Sequence, residues 1–479
     1  MLNPPFLPDY SRGQRSPAVT RSGTLYYPIW LAYATGALEK AGHRVDIVDA
    51  PAAGLDRKAA RERVDGFRPD MVVVETSTPS MESDVEFADS LVRNGRKVLL
   101  VGTHPSALPG ETVAMGNRIT GCVVGEYENP LLDLAAALES NDDLSSVKGL
   151  CLREEGGEPI LTGEADKLED LDSLPWVSTV YRDHLDISRY SNPNALYPQV
   201  MVMGGRGCPH RCTFCVFPQT LMGRGFRRRS VEDITEEVLW VQKNMPEVRA
   251  VFFEDDTISV DRNRLRALAQ SFIRSGVSIS WSCNMRADVD AETLRLCSSA
   301  GLRTVCVGFE SGSDRMLKNM KKGITVDMSR NFAEAAEKAG ILVHGCFMVG
   351  TPGETAETMK ETLNLALELK LDTAQFYPMM VYPGTEAYSR AAEYDYILAD
   401  RWRDWLTEEG LHNCVVRTEE LSSGELVDFC DYARRRFYLR FGYIAGKLWR
   451  SITDKYERRL LFRAFSTFRK YLFRSSRKR

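Results

Sequence analysis

The stretch QVMVMGGRGCPHRCTFC, Gln199 to Cys215, runs a short apolar segment into three cysteines spaced Cys-x3-Cys-x2-Cys. An apolar run of this length that ends in small residues reads as a strand buried on both faces of a parallel sheet. Five more such runs follow: AVFFEDD, SISWSCN, TVCVGFE, ILVHGCFMVG and TAQFYPMMV. Amphipathic stretches such as VEDITEEVLWVQKNM and DMSRNFAEAAEKAG separate them. Six βα units between residues 196 and 390 predict a partial or closed TIM-like (β/α)6 barrel, whose chemistry sits in the loops after its strands. Cys208, Cys212 and Cys215 lie on the first of those loops.

Closely spaced thiolates on one loop can hold one face of an iron–sulfur cluster. Three thiolates on a four-iron cube leave one iron open to the nitrogen and oxygen atoms of a small molecule. The other reading of the same loop is a structural zinc site, with His210 completing a Cys3His set. Zinc sites usually draw their ligands in two pairs from separated knuckles, and no second Cys-x2-Cys occurs in this chain.

At 479 residues, with 43% hydrophobic and 27% charged residues, the chain has the profile of a soluble protein of about three domains. Disorder, collagen-like repeats and a disulfide scaffold are disfavoured. The opening MLNPPFLPDYSRG has no apolar h-region, and stretches such as YYPIWLAYATGAL fall short of the ~20 residues that span a bilayer. A cytoplasmic, reducing location is expected, where clustered thiols point to metal or redox chemistry. The net charge of −4 hides an asymmetry: Arg434 to Arg479 carries 16 Lys/Arg against Asp454 and Glu457, a balance of +14 that leaves −18 for the rest. An acidic body with a basic tail is not the profile of a nucleic-acid binder.

Residues 1–140 alternate helix and strand, with PIWLAYATGALEKAG as helix and HRVDIVDA, PDMVVVETS, KVLLVGTH and GCVVGE as strands. They predict a doubly wound, Rossmann-like α/β domain whose ligand lies beyond the carboxyl ends of the strands. No GxGxxG follows a strand, which disfavours a nicotinamide cofactor. The strand-end loops are ETSTPS (Glu75–Ser80), GTHPSALP (Gly102–Pro109) and GEYEN (Gly125–Asn129), whose small residues leave room for a broad, flat ligand. Residues 141–195 read as a linker with a small hairpin. Residues 391–479 read as a helical, Trp-rich region ending in the basic tail.

CPHRCTFC, FFEDD, GFESGSDRMLKNMKKG and FMVGTPGET, in that order, resemble the radical S-adenosylmethionine (SAM) enzymes across residues 196–390. The resemblance implies a [4Fe–4S] cluster on Cys208, Cys212 and Cys215, with SAM on the open iron as the source of a 5′-deoxyadenosyl radical. It places Phe214 near adenine and Glu254, Asp255 and Asp256 at the methionyl amine. Arg286 is assigned to the carboxylate, Glu310 and Ser311 to the ribose, and Gly350 to a turn near adenine. Many members have Gly-Gly-Glu where this chain has FFEDD. The ordinary reading of each polar residue is a salt bridge at the barrel mouth.

The first domain resembles the cobalamin-binding domain that precedes the barrel in one large radical SAM class. The resemblance implies cobalamin contacts from Thr76, Ser77, Thr78, Gly102, Thr103, His104, Gly125 and Glu126. The Asp-x-His-x-x-Gly motif that sets a histidine on cobalt is absent, so a lower face without a histidine ligand is implied. His104 then lies beside the corrin or is a hydrogen-bonded turn residue. The start at MLNPPF implies a short first strand or a true start upstream. The implied activity is carbon–carbon bond formation at an unactivated carbon, foremost C-methylation. The alternatives are a radical rearrangement or ring formation, or a cobalamin and iron–sulfur binding module without catalysis. YYPIWLA, RCTFCVFPQT and FFEDDT resemble members acting on hopanoid and other membrane-lipid side chains, so a lipid joins small molecules among the substrates expected. A flavodoxin- or ferredoxin-type electron donor is also expected.

In the tail, Leu461, Phe465, Phe468 and Leu472 share one helical stripe, and Arg459, Arg463, Lys470 and Arg474 lie opposite. Such a helix suits an anionic membrane surface, or packs its stripe on the protein while its bases face the acidic body or solvent.

Overall fold

In a computed structural model of the chain, the described residues are 1–453 apart from 94 and 155. Among them the first sheet has seven strands: β1 (Leu2–Asn3), β2 (Val48–Asp49), β3 (Met71–Thr76), β4 (Lys97–Gly102), β5 (Gly121–Val123), β6 (Leu150–Leu152) and β7 (Ile160–Leu161). Their order is β2-β1-β3-β4-β5-β6-β7. The first five are parallel, and the β6–β7 hairpin, foreseen within the linker, extends the sheet antiparallel. HRVDIVDA forms a ladder of only two residues, because its partner β1 offers only two.

Alternation along the strands builds two cores. Val72, Val74, Val98 and Leu100 pack with Val64, Val85 and Leu91 from the helices Arg57–Phe67 and Met81–Leu91. Val73, Leu99 and Val101 face the other way, toward the helix Ile29–Lys40, in a core that continues into the second domain. The sheet order reverses between β1 and β3, and the loops after β3, β4 and β5 form the ligand edge expected at such a switch.

The second sheet has strands β8 (Gln199–Val202), β9 (Ala250–Phe253), β10 (Ser280–Met285), β11 (Leu302–Glu310), β12 (Leu342–Val349) and β13 (Thr373–Pro378), all parallel and in chain order. β8 and β13 are its edges, so the (β/α)6 barrel is partial. Phe309, Phe347 and Phe376 point outward, stacked at 5.7 and 5.3 Å, and meet Phe332 and Phe437 of the surrounding helices. Their strand neighbours Glu310, Cys346 and Tyr377 therefore face the interior. The helices after these strands start on Ser230, Asp261, Asp290, Thr325, Thr355 and Ser422, each accepting a backbone N–H of the first turn.

Beyond residue 390 the chain is less helical than its sequence suggests. Trp402–Trp405 is one tight turn that caps the first domain, with the Trp402 amide donating to Glu82 at 3.0 Å and its indole to Glu111 at 3.2 Å. The Trp405 indole is drawn to the Val381 carbonyl at 2.7 Å. The helices Ser423–Tyr438 and Phe441–Thr453 follow. The amphipathic pattern at Leu461, Phe465, Phe468 and Leu472 lies outside the described residues. Among the described residues no helix is long and apolar enough to cross a membrane.

Candidate active site between the two domains

The cysteine loop is shaped by a backbone contact only glycine permits. Gly207 has φ +84°, and a Cβ there would lie 2.0 Å from the Gly225 carbonyl oxygen. Cys208 and Cys212 are buried and Cys215 is half-buried; none forms a disulfide. Gln219, which the sequence reading passed over, clamps the loop by donating to the carbonyls of Cys215 at 2.7 Å and Thr213 at 3.2 Å. Burial pushes the Cys208 thiol up to about 11, with Asp256 adding to it, and the same two causes raise the Cys215 thiol well above its ordinary value. Cys208, Cys212 and Cys215 act on one another electrostatically, so the three thiols are neighbours on the loop. Three thiols on one buried loop are the donor set that an iron–sulfur cluster takes.

The acidic segment after β9 splits into two roles. Asp255 accepts from the Gly204 amide at 2.9 Å above Arg264, whose guanidinium holds the Gly204 carbonyl at 2.6 Å, so this pair supports the start of the cysteine loop. Glu254 and Asp256 face the cleft and meet Arg15 of the first domain at 2.5 and 3.1 Å. Burial raises the Glu254 carboxyl to about 7 against the pull of Arg15. Asp256 Oδ2, on the cleft side, is a buried acceptor without a donor and suits an ammonium group, while the likewise unpartnered Asp255 Oδ1 lies under Gly204.

A second group sits at the end of β11. Glu310 holds φ +64° beside a bulge, with Lys322 Nζ 2.7 Å from its Oε1 and the Tyr377 hydroxyl 3.4 Å from Oε2. A Cβ at Gly308 would lie 2.1 Å from that Oε1 and 2.7 Å from Lys322 Nζ, so a side chain there would displace the pair. Lys322 lies 5.9 Å from the Phe214 ring centroid, and Arg286 donates to the Lys322 carbonyl at 2.7 Å. Phe214, Arg286 and Glu310 are thus brought together, with Lys322 as the member the sequence reading did not single out. Ser311 instead turns to Thr362 at 3.1 Å, and Gly350, at φ +89°, donates to Glu354 at 3.3 Å.

The strand-end loops of the first domain lie under a roof. Ser77 bonds the Tyr10 hydroxyl at 2.8 Å, Thr76 the Val101 carbonyl at 3.1 Å, and Thr78 lies 3.2 Å from His104 Nδ1. His104 packs edge-on to Trp402 at 4.9 Å, and burial lowers it to about 3, so it is neutral. Gly125, at φ +82°, donates to Ser106 at 2.9 Å, and Glu126 pairs with Arg227 and Arg206 of the barrel. Gly102 has φ +125°, and a Cβ there would lie 2.4 Å from the Thr76 carbonyl. Beside it a small cavity of about 10 Å³ is lined by Glu75, Thr76, Gly102 and Thr103 from one domain and Phe217 and Leu221 from the other. That volume is less than a corrin with its side chains occupies. Buried and unpartnered polar atoms surround these loops: Glu75 Oε2, Tyr127 Oη, Trp30 Nε1 and His104 Nε2. Their chemistry fits the amide fringe of a corrin.

The radical SAM superfamily model matches residues 202–366, and the B12 binding domain model matches residues 15–135. The chain joins a B12-binding domain to a radical SAM domain. Its cofactors are therefore a [4Fe–4S] cluster, SAM and cobalamin. Among relatives of this radical SAM protein, a Pyrococcus horikoshii protein named an uncharacterized methyltransferase is 29% identical, over 87% of this chain and 89% of its own. The anaerobic magnesium-protoporphyrin IX monomethyl ester cyclase of Cereibacter sphaeroides is 27% identical, over 86% of this chain and 67% of its own. The fold is shared with the radical SAM methyltransferase TsrM of Kitasatospora setae, at TM-score 0.65 and 20% identity, over 77% of this chain and 73% of that one.

Proposed function

We propose that this radical SAM enzyme C-methylates an unactivated carbon of a hydrophobic substrate. One observation carries the reading: the strand-end loops of the B12-binding domain and the segment just past Cys215 share one cavity, where Gly102 and Thr103 face Phe217 and Leu221. A methyl carrier held by the first domain and a radical source held by the barrel would then reach the same substrate carbon. Bound there, the cluster and SAM supply the radical initiator and cobalamin the methyl group.

The chain's own residues position these groups. Cys208, Cys212 and Cys215 hold the cluster on a loop braced by Gln219, Asp255 and Arg264. Glu254 and Asp256 offer carboxylates to the SAM ammonium, while Phe214, Arg286 and Glu310 line the remainder of its site.

Anaerobic reconstitution with iron, sulfide, hydroxocobalamin and methyl-labelled SAM, under a flavodoxin- or ferredoxin-type reductant, tests the reading. Label in the product with both deoxyadenosine and S-adenosylhomocysteine supports it. Deoxyadenosine alone favours a ring-forming or rearranging reaction, the reading that the 27% identical cyclase supports. Absence of both products would leave a cofactor-binding module.

A lipid substrate gains support from the helix Phe441–Thr453. Phe441, Trp449 and Ile452 are 88%, 71% and 74% exposed, and the surrounding sequence is strongly basic. Exposed aromatic and aliphatic side chains beside a basic run suit peripheral contact with an anionic membrane.

A further inference from the structure

We propose that Cys306, His344 and Cys346 form a second metal site inside the barrel, built for a thiophilic divalent ion of the zinc class and separate from the cysteine loop. Their donor atoms all lie within 4.8 Å of one another. Cys306 of β11 is in register with His344 of β12, and Cys346 is two residues further along β12 on the same face. Val305 and Val307, the neighbours of Cys306, and Val343 and Phe347, on either side of His344 and Cys346, belong to the outward core, so the three donors point into the barrel. All three are partly exposed there.

The spacing favours a metal over a disulfide. Sγ of Cys306 and Sγ of Cys346 are 3.8 Å apart. Two thiolates each ~2.3 Å from one tetrahedral ion are separated by about 3.8 Å. The register, in contrast, sets their Cα atoms about 8 Å apart, given a strand spacing of ~4.8 Å and a rise of ~3.3 Å per residue. That exceeds the ~4.4–6.8 Å a disulfide spans without backbone movement. His344 Nδ1 lies 2.7 Å from Thr373 Oγ1, an outer hydrogen bond of the kind that fixes the ring of a metal-bound imidazole.

Charge balance agrees. Metal binding releases two thiol protons to solvent, and the two thiolates neutralise the 2+ ion, so no net charge is left in the barrel interior. Three protein donors leave the fourth coordination position facing that interior, the arrangement that accepts an oxygen, nitrogen or sulfur atom of a bound molecule. Cys306 lies four residues before Glu310 on β11, while Cys346 pairs with Gly308 and precedes Phe347, the register partner of Glu310, so the site lies just beneath Glu310.

The test uses the full chain, purified anaerobically with its cluster loaded, equilibrated with zinc and dialysed against metal-free buffer. Elemental analysis reads zinc and iron per chain, and zinc-edge X-ray absorption reads the donors. The expected result is one zinc with two sulfurs at about 2.3 Å and a nitrogen. Cys306→Ser/Cys346→Ser should lower bound zinc at least tenfold with iron unchanged. The triple variant Cys208→Ala/Cys212→Ala/Cys215→Ala should lose iron and keep zinc. If the double serine variant fails to fold, His344→Ala decides through loss of the zinc-bound nitrogen and an affinity at least tenfold weaker. Zinc that stays in the double variant, zinc lost together with iron in the triple variant, zinc unchanged in His344→Ala, or no zinc in the wild type would each overturn the proposal.

Discussion

Arg15 Nη1 lies 2.5 Å from Oε1 of Glu254, so a guanidinium from the B12-binding domain closes on the acidic rim of the radical SAM barrel. Its Nε reaches Asp256 at 3.1 Å, and the guanidinium covers the Phe217 ring at 5.1 Å. One side chain thereby joins both domains at the point where their sites meet.

Arg15→Ala should destabilise the cluster-loaded protein by on the order of 2 kcal/mol. Breaking a fully buried pair costs ~3–5 kcal/mol; the Arg15 side chain is 28% exposed, which reduces the loss. Thermal unfolding under anaerobic conditions checks it, with Arg15→Lys recovering part. No change in melting temperature would show that the ion pair does not couple the domains.

Glu75 gives a pH dependence with a definite sign. It is buried beside Gly102 and the cavity, and burial raises its carboxyl from 4.5 to about 8. A raised folded-state value contributes stability that is complete below pH 4.5 and lost as pH rises through about 8. Glu75→Gln should therefore be near neutral at pH 5 and stabilising by a few kcal/mol above pH 8. Denaturant midpoints of cobalamin-free protein at several pH values measure this, and a pH-independent difference would contradict it.

Lys322 and Glu310 should behave as one unit. Lys322→Met leaves the Glu310 carboxylate buried without its cation and should cost about 3–5 kcal/mol. Adding Glu310→Gln should restore a large part, because the uncompensated charge is gone. A double-mutant cycle in urea reads the coupling; strict additivity would mean the two side chains are independent.

The helix Phe441–Thr453 predicts salt-sensitive binding to anionic vesicles. Replacing Phe441, Trp449 and Ile452 with serine should reduce co-sedimentation at least tenfold, and raising salt should weaken the wild type. Equal pelleting of wild type and variant would remove the membrane contact.

The sequence by itself determined what is local. Parallel strands buried on both faces must be β-branched and apolar along their length, so MVVVET, KVLLVG and the barrel runs were legible, as was a cysteine tripod confined to eight residues. The hairpin in the linker was legible too, although its place on the edge of the first sheet was not. Tertiary structure alone decided which distant groups meet. Arg15 reaches Glu254 across 239 positions, Trp402 seats on His104, and strand register sets Cys306 beside His344 and Cys346. Such pairings depend on how helices and sheets pack and on the register of neighbouring strands, and periodicity within a single segment carries no trace of either.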